Sequence, residues 1–127
     1  MVGFVIVSHS DKLAQGVVDL AGMMAKDAPI AAAGGLLDGG FGTSFEKIQS
    51  AVESVYSPDG VILLMDMGSA VMTAEMVVES MEDKKVRLAD CPLAEGAVTG
   101  TVDAAMGMSL EEIMEDLAQV ASQKKLE

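Results

Sequence analysis

A chain of 127 residues, half of them apolar and 22% charged, is long enough for one real core and too hydrophobic to be disordered. Its formal net charge of −12, from 20 acidic against 8 basic side chains, argues against binding nucleic acid or an anionic membrane surface, both of which need clustered Lys and Arg. One cysteine cannot form an internal disulfide and no apolar run is long enough to span a membrane, so a single cytoplasmic domain, residues 1–127, is expected.

The first predicted element is a strand over Val2–Val7, short, β-branched and nearly all apolar, as strands of parallel sheets are. It lacks the basic flank of a signal peptide. Ser10 or Asp11 is placed to cap the next helix, whose expected inner face is Leu13, Val17, Leu20, Ala21 and Met24. Pro29–Ala33 reads as a weaker, alanine-rich strand, followed by GGLLDGGFGTS, a loop with five glycines and no lysine. Thr43–Glu46 has capping-box spacing, with Thr43 as the cap and Phe45, Ile48, Val52 and Val55 continuing as a helix face. Ser57–Gly60 is a turn, and Val61–Met65 a second strong strand that runs into Asp66-Met-Gly-Ser69. A helix follows from about Ser69 to Met81, in which Met72 and Met76, one turn apart, read most simply as core, or as a docking face if exposed. Lys85–Ala89 makes a fourth strand. Leu93 to about Ala105 is helical despite Gly96 and Gly100, and Ser109–Glu112 opens a last helix with Leu110, Ile113, Leu117 and Val120 inward. The order β-α-β-α-β-α-β-α-α implies an α/β three-layer sandwich: a mostly parallel four-stranded sheet with helices on both faces.

Sites in open α/β sheets form at the carboxyl ends of strands. The two strongest strands end in VIVSHS and LLMDMGS. In a 2-1-3-4 sheet order they are neighbours, and His9 and Asp66 emerge side by side. A carboxylate holding imidazole Nδ1–H leaves the Nε2 lone pair as an outward nucleophile. Gly68 and Ser69 would then open a helix beside it, supplying amides, a hydroxyl and a positive dipole end: an anion pocket without a lysine. Residue type alone reads His9 as a surface residue and Asp66 as a helix cap; the joint pattern leaves that reading and the functional one both open. The glycine loop is neither a Walker phosphate loop nor a dinucleotide fingerprint, and is read as a flexible connection or as a rim at Gly42 and Thr43. Cys91, with no second histidine to activate it, reads as a packed thiol. Asp38 and Asp90 have no metal-ligand spacing, so no metal site is expected.

VIVSHSDKLAQGV, GGLLDGGFGTSFEKI, VILLMDMGSAVMTAEM and CPLAEGAV, in that order, resemble the mannose-class IIA domains of the bacterial phosphotransferase system. GGxxDGxxGTS and DxGSAxM point to the branch that serves the phosphoenolpyruvate-dependent dihydroxyacetone kinase, and the chain's end at Glu127 is similar to its short single-domain members. The resemblance implies a phosphotransferase subunit in which His9 accepts a phosphoryl group from the small histidine phosphocarrier protein. His9 would pass it to ADP held in the kinase's nucleotide-binding subunit. It implies that Asp66 orients His9, that Ser10, Gly68 and Ser69 surround the phosphoryl group, that no cofactor is bound, and that the protein is a homodimer. Met67 stands where leucine is usual, and Thr73 where asparagine is usual, which leaves that side chain's polar contact open. An IIA subunit of a mannose-type sugar transporter and a flavodoxin-like regulatory or binding module are the alternatives.

Overall fold

The β-branched runs become the middle of a sheet. The computed structural model describes residues 1–126; Glu127, the last residue of the expected domain, lies outside the described residues. Its elements are β1 (Gly3–Ser8), α1 (Asp11–Met24), β2 (Ile30–Gly34), α2 (Phe45–Val55), β3 (Val61–Met65), α3 (Gly68–Ser80), β4 (Val86–Ala89), α4 (Leu93–Ala105) and α5 (Leu110–Ser122). The strands pair in parallel in the order β2-β1-β3-β4, with Phe4 opposite Ile62 and Val7 opposite Met65. That register brings the residues after β1 and β3 out together at one edge.

Alternation along the two central strands divides the core between two faces. Phe4, Ile6, Ile62 and Leu64 pack with α1, α4 and α5, while Val5, Val7, Val61 and Leu63 pack with α2 and α3. The three expected layers are present. Close approach of helix to sheet depends on small residues: a Cβ on Gly100 of α4 would stand 2.7 Å from Cε2 of Phe4. The inner face of α1 differs from the expected one for the same reason. Ala14, Val17 and Ala21 are buried, whereas Leu13, Leu20 and Met24 are exposed, because α1 lies too near the sheet to admit longer side chains on its inner face. Met72 and Met76 are likewise exposed and not core, since Ala70, Ala74 and Val77 form the buried face of α3. The last helix is as expected, opened by a reciprocal Ser109–Glu112 capping box with Leu110, Ile113, Leu117 and Val120 inward.

Candidate functional site

The ends of β1 and β3 put His9 beside Asp66. The backbone ladder continues past the strands through Asp66 N–H to Val7 O (3.1 Å), which fixes where the carboxylate begins. One carboxylate oxygen, Oδ1, lies 3.0 Å from His9 Nδ1 and accepts from the Met67 amide at 2.7 Å. The other, Oδ2, accepts from the Ser8 hydroxyl at 2.8 Å and from the His9 amide at 3.0 Å. Asp66 is therefore gripped at both oxygens while its side chain keeps only 10% of its surface exposed. Burial pushes its pKa up, but the hydrogen bonds from the His9 backbone, Ser8 and the His9 ring, with the attraction of the ring's charge, outweigh burial and hold it below the ordinary carboxylate range. An ionised Asp66 fixes the proton of His9 on Nδ1 and leaves the Nε2 lone pair outward. There the Ser69 hydroxyl reaches it as donor. The imidazole keeps 21% of its surface exposed, so it is held firmly and remains accessible.

Ser69 stands in the first turn of α3. The N-cap Met67 contributes no side-chain oxygen, and the Ala70 amide turns back to the Met67 carbonyl at 3.0 Å, so the amides of Gly68 and Ser69 are the ones available to an anion, at the positive end of a 13-residue helix. Ser10, expected beside the phosphoryl group, is the N-cap of α1, its hydroxyl accepting from Leu13 N–H at 3.2 Å. Gly42 belongs to the rim, since its amide donates to the His9 carbonyl at 2.9 Å. Thr43 is at the rim too but does not cap α2. Ser44, one residue on, takes that place by accepting from Lys47 N–H, and Thr43 turns instead to Thr73 of α3, 2.8 Å away. The polar contact at position 73 is therefore a hydroxyl pair. Ser8 and Thr73 were given no place at the site; both lie within the recognised stretches, but only the strand register and the helix turn show what they touch.

The remaining titratable features lie outside this cluster. Cys91 is half-buried, and burial followed by the charges of Asp90 and Glu95 pushes its thiol up to about 11, a poor nucleophile at neutral pH. Among the described residues, no three His, Cys, Asp or Glu side chains gather as a metal site would require, and no helix is long and apolar enough to cross a membrane. A cavity of about 540 Å³ between α1, α4 and α5, lined by Leu20, Val98 and Val120 among others, includes none of His9, Asp66 or Ser69.

A parallel 2-1-3-4 sheet with an oriented histidine at its carboxyl edge is the arrangement expected of a IIA-type domain of the phosphotransferase system. Residues 3–114 match the family described as the PTS system fructose IIA component, and the chain belongs to that family. It is 39% identical over 132 residues to the phosphoryl donor subunit DhaM of the PEP-dependent dihydroxyacetone kinase of Escherichia coli (strain K12). That alignment covers 98% of this chain but only 28% of the relative, so the chain spans little more than a quarter of that protein. To the phosphotransferase subunit DhaM of the PTS-dependent dihydroxyacetone kinase of Lactococcus lactis subsp. lactis (strain IL1403) it is 38% identical over 122 residues, covering 96% of this chain and 98% of the relative. A crystal structure of a protein of unknown function superposes with a TM-score of 0.84 at 27% identity, covering 99% of this chain and 98% of that one.

Proposed function

We propose that this protein is a histidine phosphocarrier that takes a phosphoryl group on His9 Nε2 from the small histidine phosphocarrier protein and delivers it to ADP in the nucleotide-binding subunit of a dihydroxyacetone kinase. The observation that carries the reading is the Asp66 carboxylate at Nδ1, 3.0 Å away, which leaves Nε2 as the free nucleophile facing Ser69. In the transfer the Nε2 lone pair forms the new P–N bond as the donor's P–N bond breaks, and the electron pair returns to the donor imidazole. The Nδ1 proton stays in place, and the positive charge that develops on the ring is balanced by Asp66. The Ser69 hydroxyl then turns from Nε2 to a phosphoryl oxygen. Neutral donors and a helix end hold the group without a clamping lysine, which keeps it transferable. The names of the two DhaM relatives support the dihydroxyacetone kinase branch. Met72 and Met76, exposed one helical turn apart on the helix that carries Ser69, support docking of protein partners at this site.

Phosphoenolpyruvate with the general phosphotransferase proteins is expected to place one acid-labile phosphate on the wild-type chain and none on His9→Ala, as read by mass or by radiolabel. Uptake by His9→Ala would sink the assignment. The second reading, a IIA subunit of a sugar transporter, draws on the fructose IIA description of the family. It is preferred if the loaded chain gives its phosphate to a IIB domain and not to ADP on the kinase subunit.

A further inference from the structure

His9 and Ser69 are 60 residues apart and sit on different elements, yet the site works only if they keep a fixed separation. Asp66 fixes His9, but it belongs to the end of β3, before α3 begins. Ala70, Ala74 and Val77 seat α3 on the sheet, but no side chain caps its first turn, so the setting of Ser69 against His9 calls for a contact beyond that packing. Two adjacent residues of the glycine loop meet this need. The Gly42 amide holds the His9 carbonyl at 2.9 Å. Thr43, the next residue, reaches across to α3, where its Oγ1 lies 2.8 Å from Oγ1 of Thr73. Thr73 sits one helical turn after Ser69, and its hydroxyl points back to the Ser69 carbonyl at 3.5 Å. With Thr73 donating to Ser69, its oxygen accepts from Thr43, so both hydroxyls are used in one direction along the chain of bonds.

We infer that Thr43 and Thr73 form a latch that sets Ser69 against Nε2 of His9; both are positioning residues that act through Ser69. This rests on the reading of His9 as the phosphoryl carrier. The loop is suited to the task because it is pinned at its start as well. Gly35 N–H donates to Ser8 O at 3.1 Å, and the Lys47 ammonium holds the Gly34 carbonyl at 2.7 Å. Only its tip, with Leu37 and Phe41, stands out in solvent. Because the loop is fixed at both ends and Thr43 follows Gly42 directly, a change at Thr43 is felt at both His9 and Ser69.

The test compares Thr43→Val and Thr73→Val, near-isosteric changes that delete one hydroxyl each, in the whole chain. The readouts are the rate of phosphate uptake from phosphoenolpyruvate through the general phosphotransferase proteins and the lifetime of the phosphorylated chain. Each valine variant is expected to take up phosphate about fivefold more slowly, the scale of one neutral hydrogen bond. The two together should be no worse than either alone, and the Ser variants should be near wild type. In a Ser69→Ala background, Thr73→Val should cost nothing further. Valine variants that match wild type, Ser variants that lose as much as Val, or a full Thr73→Val loss persisting in Ser69→Ala would overturn the latch. Failure of the wild type to take up phosphate would overturn the carrier reading itself, a separate outcome.

Discussion

Asp66 accepts two hydrogen bonds at each oxygen, and this explains how a largely buried carboxylate stays ionised beside a histidine. Asp66→Asn keeps the shape but replaces one oxygen by a donor, so two of the four donors lose their acceptor and the ring loses its counter-charge. Phosphate uptake is expected to fall about a hundredfold, the lower end of what a positioned acid–base partner contributes. Stability should fall with it. A carboxyl whose folded pKa is depressed adds stability that is complete above its unfolded value, about 4, and is lost as pH falls through the lower folded value. The gap in thermal midpoint between Asp66→Asn and wild type should therefore be full at pH 7 and close below pH 4; a gap that stays constant into acid would contradict the ionised, four-bonded Asp66. The central pair was legible in the sequence because His9 is the only histidine and Asp66 ends a strand of unmistakable pattern. Ser8 was not. Within VIVSHS it reads as one more strand residue, and its hydroxyl gains meaning only from the register that sets Val7 against Met65.

Between α4 and α5 a second carboxyl follows the opposite logic. Asp103 is 6% exposed, its Oδ2 has no hydrogen-bond partner, and Asp116 of α5 faces it. Burial first, then the neighbouring Asp116 carboxyl, push Asp103 up to about 7. The other elements packed on α4 do not relieve it: β1 and β3 carry no titratable side chain, and Asp11, Lys12 and Asp19 of α1 are exposed. The folded protein thus keeps a proton that the unfolded chain releases near pH 4, so this pair's contribution falls as pH rises from about 4 through 7. Asp103→Asn supplies a permanent donor to Asp116. Its thermal midpoint is expected to match wild type near pH 4 and to exceed it by roughly 4 °C or more at pH 8. Equal midpoints at pH 8 would contradict a strained α4–α5 contact. Elements were legible where the apolar pattern is strong, as in β1, β3 and α5. The inner face of α1 was not, because sequence periodicity weights Leu13 and Leu20, while the space beside the sheet admits Ala14 and Ala21. The cap of α2 was misplaced by one residue for a similar reason: Thr43 and Ser44 are both competent caps, and Thr43 is already engaged by Thr73.

At the scale of the whole molecule, the carrier reading would have a chain of net charge −12 take up an anionic cargo. Free phosphate and nucleotides are repelled by such a surface, and the site offers them neutral donors and one helix end, too little to hold them against that field. A protein donor with a basic docking face is drawn in by the same field, which raises its encounter rate and aligns it before contact. On the carrier reading, the acidic surface would select proteins over small anions as phosphoryl sources. The consequence is a salt dependence confined to encounter. With donor protein well below saturation, the second-order rate of phosphate uptake is expected to fall several-fold between about 20 and 200 mM salt, as the Debye length shortens below 10 Å. With donor saturating, the rate should hold nearly constant, because transfer at His9 runs over short contacts to Asp66 and Ser69 that salt screens little. A second-order rate indifferent to salt would show that the charge serves only solubility. Salt sensitivity that persists at saturation would place the electrostatic effect in the transfer step, and not in the approach of the two proteins.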